Sequence, residues 1–554
     1  MLLFDRILAS RGIDNTNRAS FLSPDYSEFR HDPFLLPDMD KAAERLILAY
    51  KSQEKITIYG DYDIDGLTST ALLLDALRSF GFNNIDTYIP SRFDEGYGLT
   101  ISAIEKIAAN GTQLIVTVDC GSRSEKEIIK ARELGVDVVV TDHHNAAEVQ
   151  PPAIAVVNPK RPGHQYPFCD LAGVGVTFKL VQALQVRFNK ESMGSSSINS
   201  GLALGQEKWL LDLVALGTVC DIVSLTDENR ANVFWGLKVL QKTRRPGLKA
   251  LIAISNLETD KINSRSLGYV LGPRMNAAGR LETAGQALDM LITESTDEAY
   301  ERAQYLDELN TKRRADQDKI FKAASIQVES RADDPVIVVS GEDWNHGIVG
   351  IVASKLQEKY RKPALVLQEF PDISKGSARS FGDFNISQAI EACKNLITTG
   401  GGHSLAAGVT LPTENIEAFR QKINEFYKQL NLTDQELKLI PKVDAIADLS
   451  EINEELANQI DQLEPFGSGN NRPILQTNGL TVRSIRKMGS DQQHLKLDLS
   501  DKNGFRMSFL AFNAPKNYFV QVGARVSVSY EIELNEWNGM RSVEGRLLFL
   551  KVDS

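Results

Sequence analysis

Residues Ile56 to Gly66 read Ile-Thr-Ile-Tyr-Gly-Asp-Tyr-Asp-Ile-Asp-Gly, an alternating β-type run that ends in three carboxylates at every second position. In an extended chain residues two apart point the same way, so Asp61, Asp63 and Asp65 are expected to converge on one small volume. Carboxylates that close repel one another strongly unless cations sit between them. Mg²⁺ or Mn²⁺, hard divalent ions that take oxygen ligands, answer that need. Gly66 permits a tight turn and Leu67 to Phe80 carries an apolar helical face, which puts the carboxylates at a strand-to-helix junction. Such junctions, at the carboxyl ends of parallel strands, are where open α/β sheets bind ligands. An acidic turn or a calcium loop would share the pattern, but no Glu closes a calcium loop at its twelfth position and a strand precedes this one.

The chain is 554 residues long, which suggests roughly three domains. A net charge of −11 argues against a uniformly basic nucleic-acid coat and leaves room for a local basic groove. Cys120, Cys169, Cys220 and Cys393 have no paired spacing, which suits a reducing cytoplasm and excludes a cysteine zinc site. The N-terminal run, with Asp5 early, is not expected to be a secretory signal, and no stretch is apolar for the eighteen or so residues that a membrane span needs.

Residues 1–50 read as a polar, partly helical lead-in, broken by Pro24, Pro33 and Pro37, with a helix from Asp40 to Tyr50. From Ile56, continuous apolar strands alternate with helical patterns, which predicts a parallel sheet covered on both faces over 51–294. Ser192 to Gly201 reads as a flexible connector. Residues 295–332 are charged with a narrow apolar stripe, as in a long exposed helix bridging two lobes. A smaller α/β unit is expected over 333–438. Within 439–554, short alternating strands from Leu480 to Val552 suggest a small β-barrel.

Two further β-type runs end in metal-capable side chains: Leu-Ile-Val-Thr-Val in Asp119-Cys-Gly, and Val-Asp-Val-Val-Val-Thr in Asp142-His143-His144. Acidic residues at one such ending are commonplace helix caps; three endings on one sheet edge are not. Asp221, flanked by apolar residues, is expected to be buried, either as a satisfied core carboxylate or as a metal ligand.

The ordered series Asp61-Tyr-Asp-Ile-Asp-Gly, Val118-Asp-Cys-Gly, Asp142-His-His and Cys220-Asp221 resembles the four motifs of the DHH phosphoesterase superfamily. Leu171-Ala-Gly-Val-Gly-Val-Thr-Phe-Lys-Leu, Gly272-Pro-Arg-Met-Asn-Ala-Ala-Gly-Arg, Gly376-Ser-Ala-Arg-Ser, Gly401-Gly-His and Pro465-Phe-Gly-Ser-Gly-Asn narrow the likeness to the RecJ family of bacterial single-strand-specific DNA exonucleases. The resemblance covers nearly the whole chain; Ile64 and Ser224 depart from the usual residues without touching a donor atom. It implies a DHH catalytic domain, a DHHA1-type domain joined to it by the long helix, and a C-terminal OB-fold barrel. It also implies two Mn²⁺ or Mg²⁺ ions held by Asp63, Asp65, Asp119, His143 and Asp221. Asp61 and His144 either ligate or support, and Asp142 orients a histidine. Such a pair would acidify a bridging water and brace a phosphodiester.

For phosphate binding, Arg274, Asn276 and Arg280 stand in an expected loop where guanidinium groups could fork onto oxygens, or could serve a surface turn. Ser377, Arg379 and Ser380 suit a terminal phosphate. His403, behind three glycines, could approach the scissile phosphate or simply occupy a glycine turn; Trp344 and His346 carry no assigned role. Residues 465–554 hold 12 Lys and Arg against 8 Asp and Glu, a net of +4 that favours a nucleic-acid groove. Of Phe505, Phe509, Phe512, Tyr518, Phe519 and Trp537, most are expected to fill the barrel and the rest to stack on unpaired bases.

The expected activity is 5′→3′ hydrolysis of single-stranded DNA to 5′-mononucleotides in repair and recombination, by a cytoplasmic monomer. Its partners by resemblance are single-strand-binding protein and a RecQ-type helicase. The rivals are a DHH phosphodiesterase for short oligonucleotides or cyclic dinucleotides, whose relatives lack the long insert and barrel, and a non-catalytic DNA-binding replication scaffold, whose relatives lose metal ligands.

Overall fold

The protein is seen here in a computed structural model. It describes residues 1–194, 202–203, 205–433, 436–437, 440–489, 492–537 and 539–553, so most of the expected 192–201 connector lies outside the described residues. Two compact units divide the chain: Ala19–Thr311 with Glu464–Asn471, and Met1–Arg18 with Lys312–Leu463 and Arg472–Ser554. Among the described residues no helix is long and apolar enough to cross a membrane.

The first unit is built on a five-stranded sheet of β1 (Ile56–Tyr59), β2 (Ile85–Tyr88), β3 (Leu114–Val118), β4 (Asp137–Thr141) and β5 (Ala155–Val157), in the order β2-β1-β3-β4-β5. All four pairings are parallel. The period of two sorts the strands between two cores: Leu114, Val116 and Val118 face one side with Ile56 and Ile58, while Ile115 faces the other with Val138, Val140 and Val156. Every strand therefore ends on the same edge, and the residue after each last turn of strand is presented there.

At the first edge position the structure corrects the extended-chain expectation. The strand stops at Tyr59 and the helix Ile64–Ser79 begins three residues before Leu67. Asp63 is its N-cap, accepting from Gly66 N–H at 3.1 Å, and Asp65 lies in its first turn. Capping by a short carboxylate outcompetes continued extension, because it satisfies an otherwise orphaned helix N–H. The helix is also buried nearly all round rather than on one face, so Thr68 and Thr70 return their hydroxyls to Ile64 O and Gly66 O at 2.7 and 2.8 Å.

Gly66 is needed for close approach, not for a turn: a Cβ there would stand 2.5 Å from both N and O of Asp61. Gly66→Ala is expected to destabilise the chain by about 1–3 kcal/mol through backbone overpacking, read as a lowered urea midpoint at unchanged slope.

The second unit contains β6 (Ile337–Gly341), β7 (Ala364–Glu369), β8 (Ile373–Arg379), β9 (Thr399–Gly402) and β10 (Ala406–Pro412), in the mixed order β6-β7-β8-β10-β9. Its remaining strands are β11 (Ala445–Ile446), β12 (Leu475–Met488), β13 (His494–Ser500), β14 (Arg506–Ala511), β15 (Arg525–Trp537) and β16 (Met540–Val552). The order β12-β13-β14-β16-β15 closes through β12–β15 pairing, and β14 runs parallel to β16: a five-stranded barrel with OB-fold connectivity. The long helix spans Thr296–Ser330, 35 residues, with Ala299, Ala303, Leu306, Leu309, Ile320, Ala324 and Val328 along its buried stripe.

The chain's first helix, Leu3–Ser10, packs in this second unit: Arg6 reaches Glu451 at 2.8 Å, and Arg11 reaches Asp444 at 2.8 Å. In the barrel, Phe509 and Tyr518 are interior, whereas Phe505, Phe512 and Phe519 are exposed, so fewer of the described aromatics are interior than alternation with polar residues suggested. The side chain of Trp537 lies outside the described residues.

Candidate metal centre

Three sheet endings and one helix end deliver the candidate donors. Asp61 follows β1, Asp119 follows β3 directly, Asp142, His143 and His144 follow β4, and Asp221 caps the helix Leu211–Cys220 at its C-terminus. Asp119 holds a left-handed backbone, φ 61°, a conformation that a non-glycine residue keeps only when its surroundings over-determine it. Gly173 makes room for it, since a Cβ on Gly173 would lie 2.6 Å from Asp119 Oδ1.

His143 Nε2 stands at the middle, 3.2 Å from Asp119 Oδ1, 3.6 Å from Asp221 Oδ2 and 3.7 Å from Asp65 Oδ2. The donors form three overlapping groups, each compact enough to hold one ion: Asp61, Asp63 and Asp119; Asp119, His143 and His144; Asp65, His143 and Asp221. Asp221 is less enclosed than expected, its side chain 21% exposed, so this wall of the site opens to solvent.

The buried carboxylates disfavour one another's charge. Burial, then Asp63, pushes the Asp65 carboxyl up to about 7. Burial, then Asp65 and Asp63, pushes Asp221 up to about 9. Asp61 and Asp119 are also raised well above the carboxylate range by burial and by neighbouring aspartates. Burial drops His143 to about 3, keeping it neutral and therefore a metal donor.

Asp61 Oδ1, Asp119 Oδ1 and His143 Nε2 are buried and make no hydrogen bond to the described residues. A buried polar atom without a partner costs free energy, and here three of them converge with carboxylates around them. Divalent cations in the overlapping groups that share Asp119 and His143 would satisfy these atoms, and mixed carboxylate and imidazole donors suit Mn²⁺ in particular.

Asp65 is tied differently. Its two oxygens accept the N–H groups of Gly173 and Val174 at 2.6 and 2.8 Å, at the N-terminus of the helix Gly173–Gly194, whose dipole favours the anion.

Asp142 does not face the cluster as a donor. Its Oδ1 accepts the backbone N–H groups of His143 and His144 at 2.7 and 3.0 Å and lies 2.9 Å from His144 Nδ1; its Oδ2 accepts Ser122 N–H. Burial opposes its ionisation, but the hydrogen bond and charge of His144 hold it below the usual carboxylate range. Because an ionised carboxylate only accepts, Nδ1 of His144 carries a proton, and against the opposing effect of burial Asp142 raises the imidazole above its ordinary range.

Tyr97, for which composition and periodicity offered no signal, completes this arrangement. Its Oη lies 2.9 Å from His144 Nδ1 and 3.3 Å from Asp119 O, between Gly96 and Gly98 at φ 80° and 84°. Asn158, following β5, donates to Ser122 Oγ and to His144 O at 2.7 and 2.8 Å; the rule that each strand end feeds the site would have found it. Tyr97→Phe is expected to raise the Mn²⁺ concentration for half-maximal activity about tenfold, as loss of a partner behind a metal-binding histidine does.

The phosphate candidates separate into two places. Gly272-Pro-Arg-Met-Asn-Ala-Ala-Gly-Arg is not a loop but the helix Gly272–Leu281, continuing a π-helical turn Leu267–Leu271. Arg274 donates from Nε to Asp307 at 2.8 Å and from Nη1 to Val270 O at 2.9 Å. Asn276 is part-exposed on this helix, and Gly279, beside Arg280, packs against Tyr62 O.

In the second unit, Ser377 and Arg379 come together over Gly350 of the helix His346–Tyr360: a Cβ there would lie 3.3 Å from Ser377 Oγ and from Arg379 Nη2. Ser380 is turned away, its hydroxyl donating to Phe384 O. His403 is exposed in the β9–β10 turn, where its N–H donates to Ala406 O at 2.8 Å.

A parallel sheet that gathers aspartates and histidines at its carboxyl edge, in one chain with a smaller mixed α/β unit and a closed barrel, defines a DHH-type phosphoesterase. The patterns described as DHH family N-terminal domain, DHHA1 domain and RecJ OB domain match residues 55–218, 333–429 and 443–548. The chain belongs to the RecJ family. It is 38% identical over 97% of its length to the single-stranded-DNA-specific exonuclease RecJ of Bacillus subtilis, of which it spans 66%, and 33% identical over 98% to that of Haemophilus influenzae, of which it spans 95%. The crystal structure of RecJ in complex with Mn²⁺ from Thermus thermophilus matches all of this chain and 76% of its own, with a TM-score of 0.81 at 25% identity.

Proposed function

We propose that this protein is a divalent-metal-dependent exonuclease that degrades single-stranded DNA from its 5′ end to 5′-mononucleotides, acting in repair and recombination. The observation that carries the reading is that buried, unpartnered Asp61 Oδ1, Asp119 Oδ1 and His143 Nε2 belong to residues of three compact donor groups linked through Asp119 and His143. That set has the donors for two ions, one toward Asp61, Asp63 and Asp119 and one toward Asp65, His143 and Asp221, with His144 beside Asp119. When bound, Mn²⁺ or Mg²⁺ supplies Lewis acidity for hydrolysis of a phosphodiester.

The chain's own residues do the positioning. Asp142 and Tyr97 fix the His144 ring, and the helix N-terminus at Gly173 fixes Asp65. Ser377 and Arg379 supply a hydroxyl and a guanidinium for a terminal phosphate; Arg379 remains a cation, and its burial strengthens its pull on an anion. Exposed Phe505, Phe512 and Phe519 offer stacking surfaces on a barrel whose charge is opposite to that of the whole chain.

The test incubates the protein with Mn²⁺ and 5′-labelled single strands, blunt duplex and a dinucleotide. Early release of labelled mononucleotide from single strands is expected; preference for the dinucleotide would instead favour an oligonucleotide phosphodiesterase.

A further inference from the structure

Residues Glu464–Asn471 leave the barrel-bearing unit and lie within the catalytic one. Both ends of this excursion are held where they start: Leu463 is buried, and Arg472 donates to Ile532 O at 2.9 Å. The excursion is a preformed shape. Gly467 and Asn470 exchange backbone hydrogen bonds of 3.0 and 3.1 Å, and Asn470 Nδ2 donates to Pro465 O at 2.8 Å.

Its contacts fall on the loop that follows Asp221. Leu225 N–H donates to Ser468 O at 2.7 Å, and Gly467 lies so close that a Cβ would be 2.7 Å from Leu225 Cδ1. Gly469, φ 72°, faces Ser224, where a Cβ would be 2.3 Å from Oγ. Two flanking bonds complete the grip: Ser264 Oγ to Phe466 O at 2.6 Å and Arg230 Nη2 to Glu464 O at 3.0 Å. From the other side Asp170 Oδ2 accepts Ser224 N–H at 3.0 Å, and Asn229 Nδ2 bridges Asp170 O and Ser224 O at 2.6 and 3.0 Å. The loop is thus pinched between its own domain and a segment some 240 positions away in the chain.

The clasped loop begins at the end of the helix that carries Asp221. Ile222, next to Asp221, is β-branched, has φ 63° and is 74% exposed. It stands at the position where helices commonly end in a left-handed residue, so the chain turns from the Asp221 helix straight into the clasped segment.

We infer that Glu464–Asn471 is a positioning clasp: it sets the backbone after Asp221, and with it the Asp221 carboxylate, for metal binding. This rests on the metal-centre reading above. Its hydrogen bonds to Leu225, Ser264 and Arg230 make these positioning residues.

The measurement is calorimetric titration of the full chain with Mn²⁺, with circular dichroism to verify folding. Gly469→Ala, which drives a Cβ into Ser224 Oγ, is expected to weaken Mn²⁺ binding about tenfold, and Ser264→Ala, a milder release of Phe466, about threefold. Ser224→Ala added to Gly469→Ala is expected to restore part of the affinity by removing the struck atom. Unchanged affinity in both single variants, or a Gly469→Ala loss that Ser224→Ala does not relieve, overturns the clasp while the metal centre stands. If Gly469→Ala does not fold, Ser264→Ala decides alone. A wild-type chain that takes up no Mn²⁺ overturns the metal centre itself, and the clasp with it.

Discussion

Asp119→Asn is expected to lower the rate of single-strand degradation by about 10³-fold or more, roughly 4 kcal/mol of barrier, while raising the thermal stability of the metal-free protein. The opposite signs come from one geometry. Asp119 belongs to two of the three donor groups and lies 3.2 Å from His143 Nε2, so no other residue except His143 serves as many. Without cations the same carboxylate is a liability: it is 1% exposed, and Asp65, Asp63, Asp221 and Asp61 all disfavour its charge.

Its folded pKa is raised above the unfolded value, so it destabilises the fold increasingly as pH climbs past that unfolded value. Asparagine keeps the shape beside Gly173 and removes the charge, so the variant is expected to melt at a higher temperature in metal-free buffer. Activity measured with Mn²⁺ and melting measured in chelator separate the two effects. A simple misfolding variant would lose both.

Manganese affinity is expected to rise steeply with pH between about 6 and 8. Asp65 at about 7 and Asp221 at about 9 are wholly or partly protonated through that window in the metal-free protein, and both must shed protons to act as ligands. Each proton released makes the dissociation constant fall about tenfold per pH unit. The metal-free protein loses stability as the same groups are forced to ionise, and saturating metal reverses the trend. At one hundred times its dissociation constant Mn²⁺ adds about 2.7 kcal/mol. Titration calorimetry in two buffers of different ionisation enthalpy counts the protons directly; a pH-independent affinity would mean that these carboxylates do not bind the ion.

Much of this site is legible in the sequence because strand ends are local. A run such as Leu-Ile-Val-Thr-Val is apolar on both faces, its end must lie at the sheet edge, and Asp119 must then be there. The alternation that predicted β-barrel strands after Leu480 worked for the same reason. The helix start at Ile64 was less visible, since capping by Asp63 and extension through Asp65 use the same residues and only the bond from Gly66 N–H distinguishes them.

Arg274 shows the limit more sharply. Its spacing beside glycines suits a loop, but the segment is a helix and Nε of Arg274 bonds Asp307, 33 positions away. Tyr97 and the clasp at Gly469 are equally invisible to spacing, because each is defined by what it touches across the chain. The first helix, joined to Asp444 and Glu451 more than 430 positions on, is the extreme case.

The most direct measurement is anomalous diffraction at the manganese edge from crystals soaked in Mn²⁺, on the wild type and on Asp119→Asn. The account predicts two manganese ions about 4 Å apart, one against Asp61, Asp63 and Asp119 and one against Asp65, His143 and Asp221, with at least one lost in the variant. Manganese bound elsewhere, or two ions undisturbed by the loss of the Asp119 charge, would contradict it.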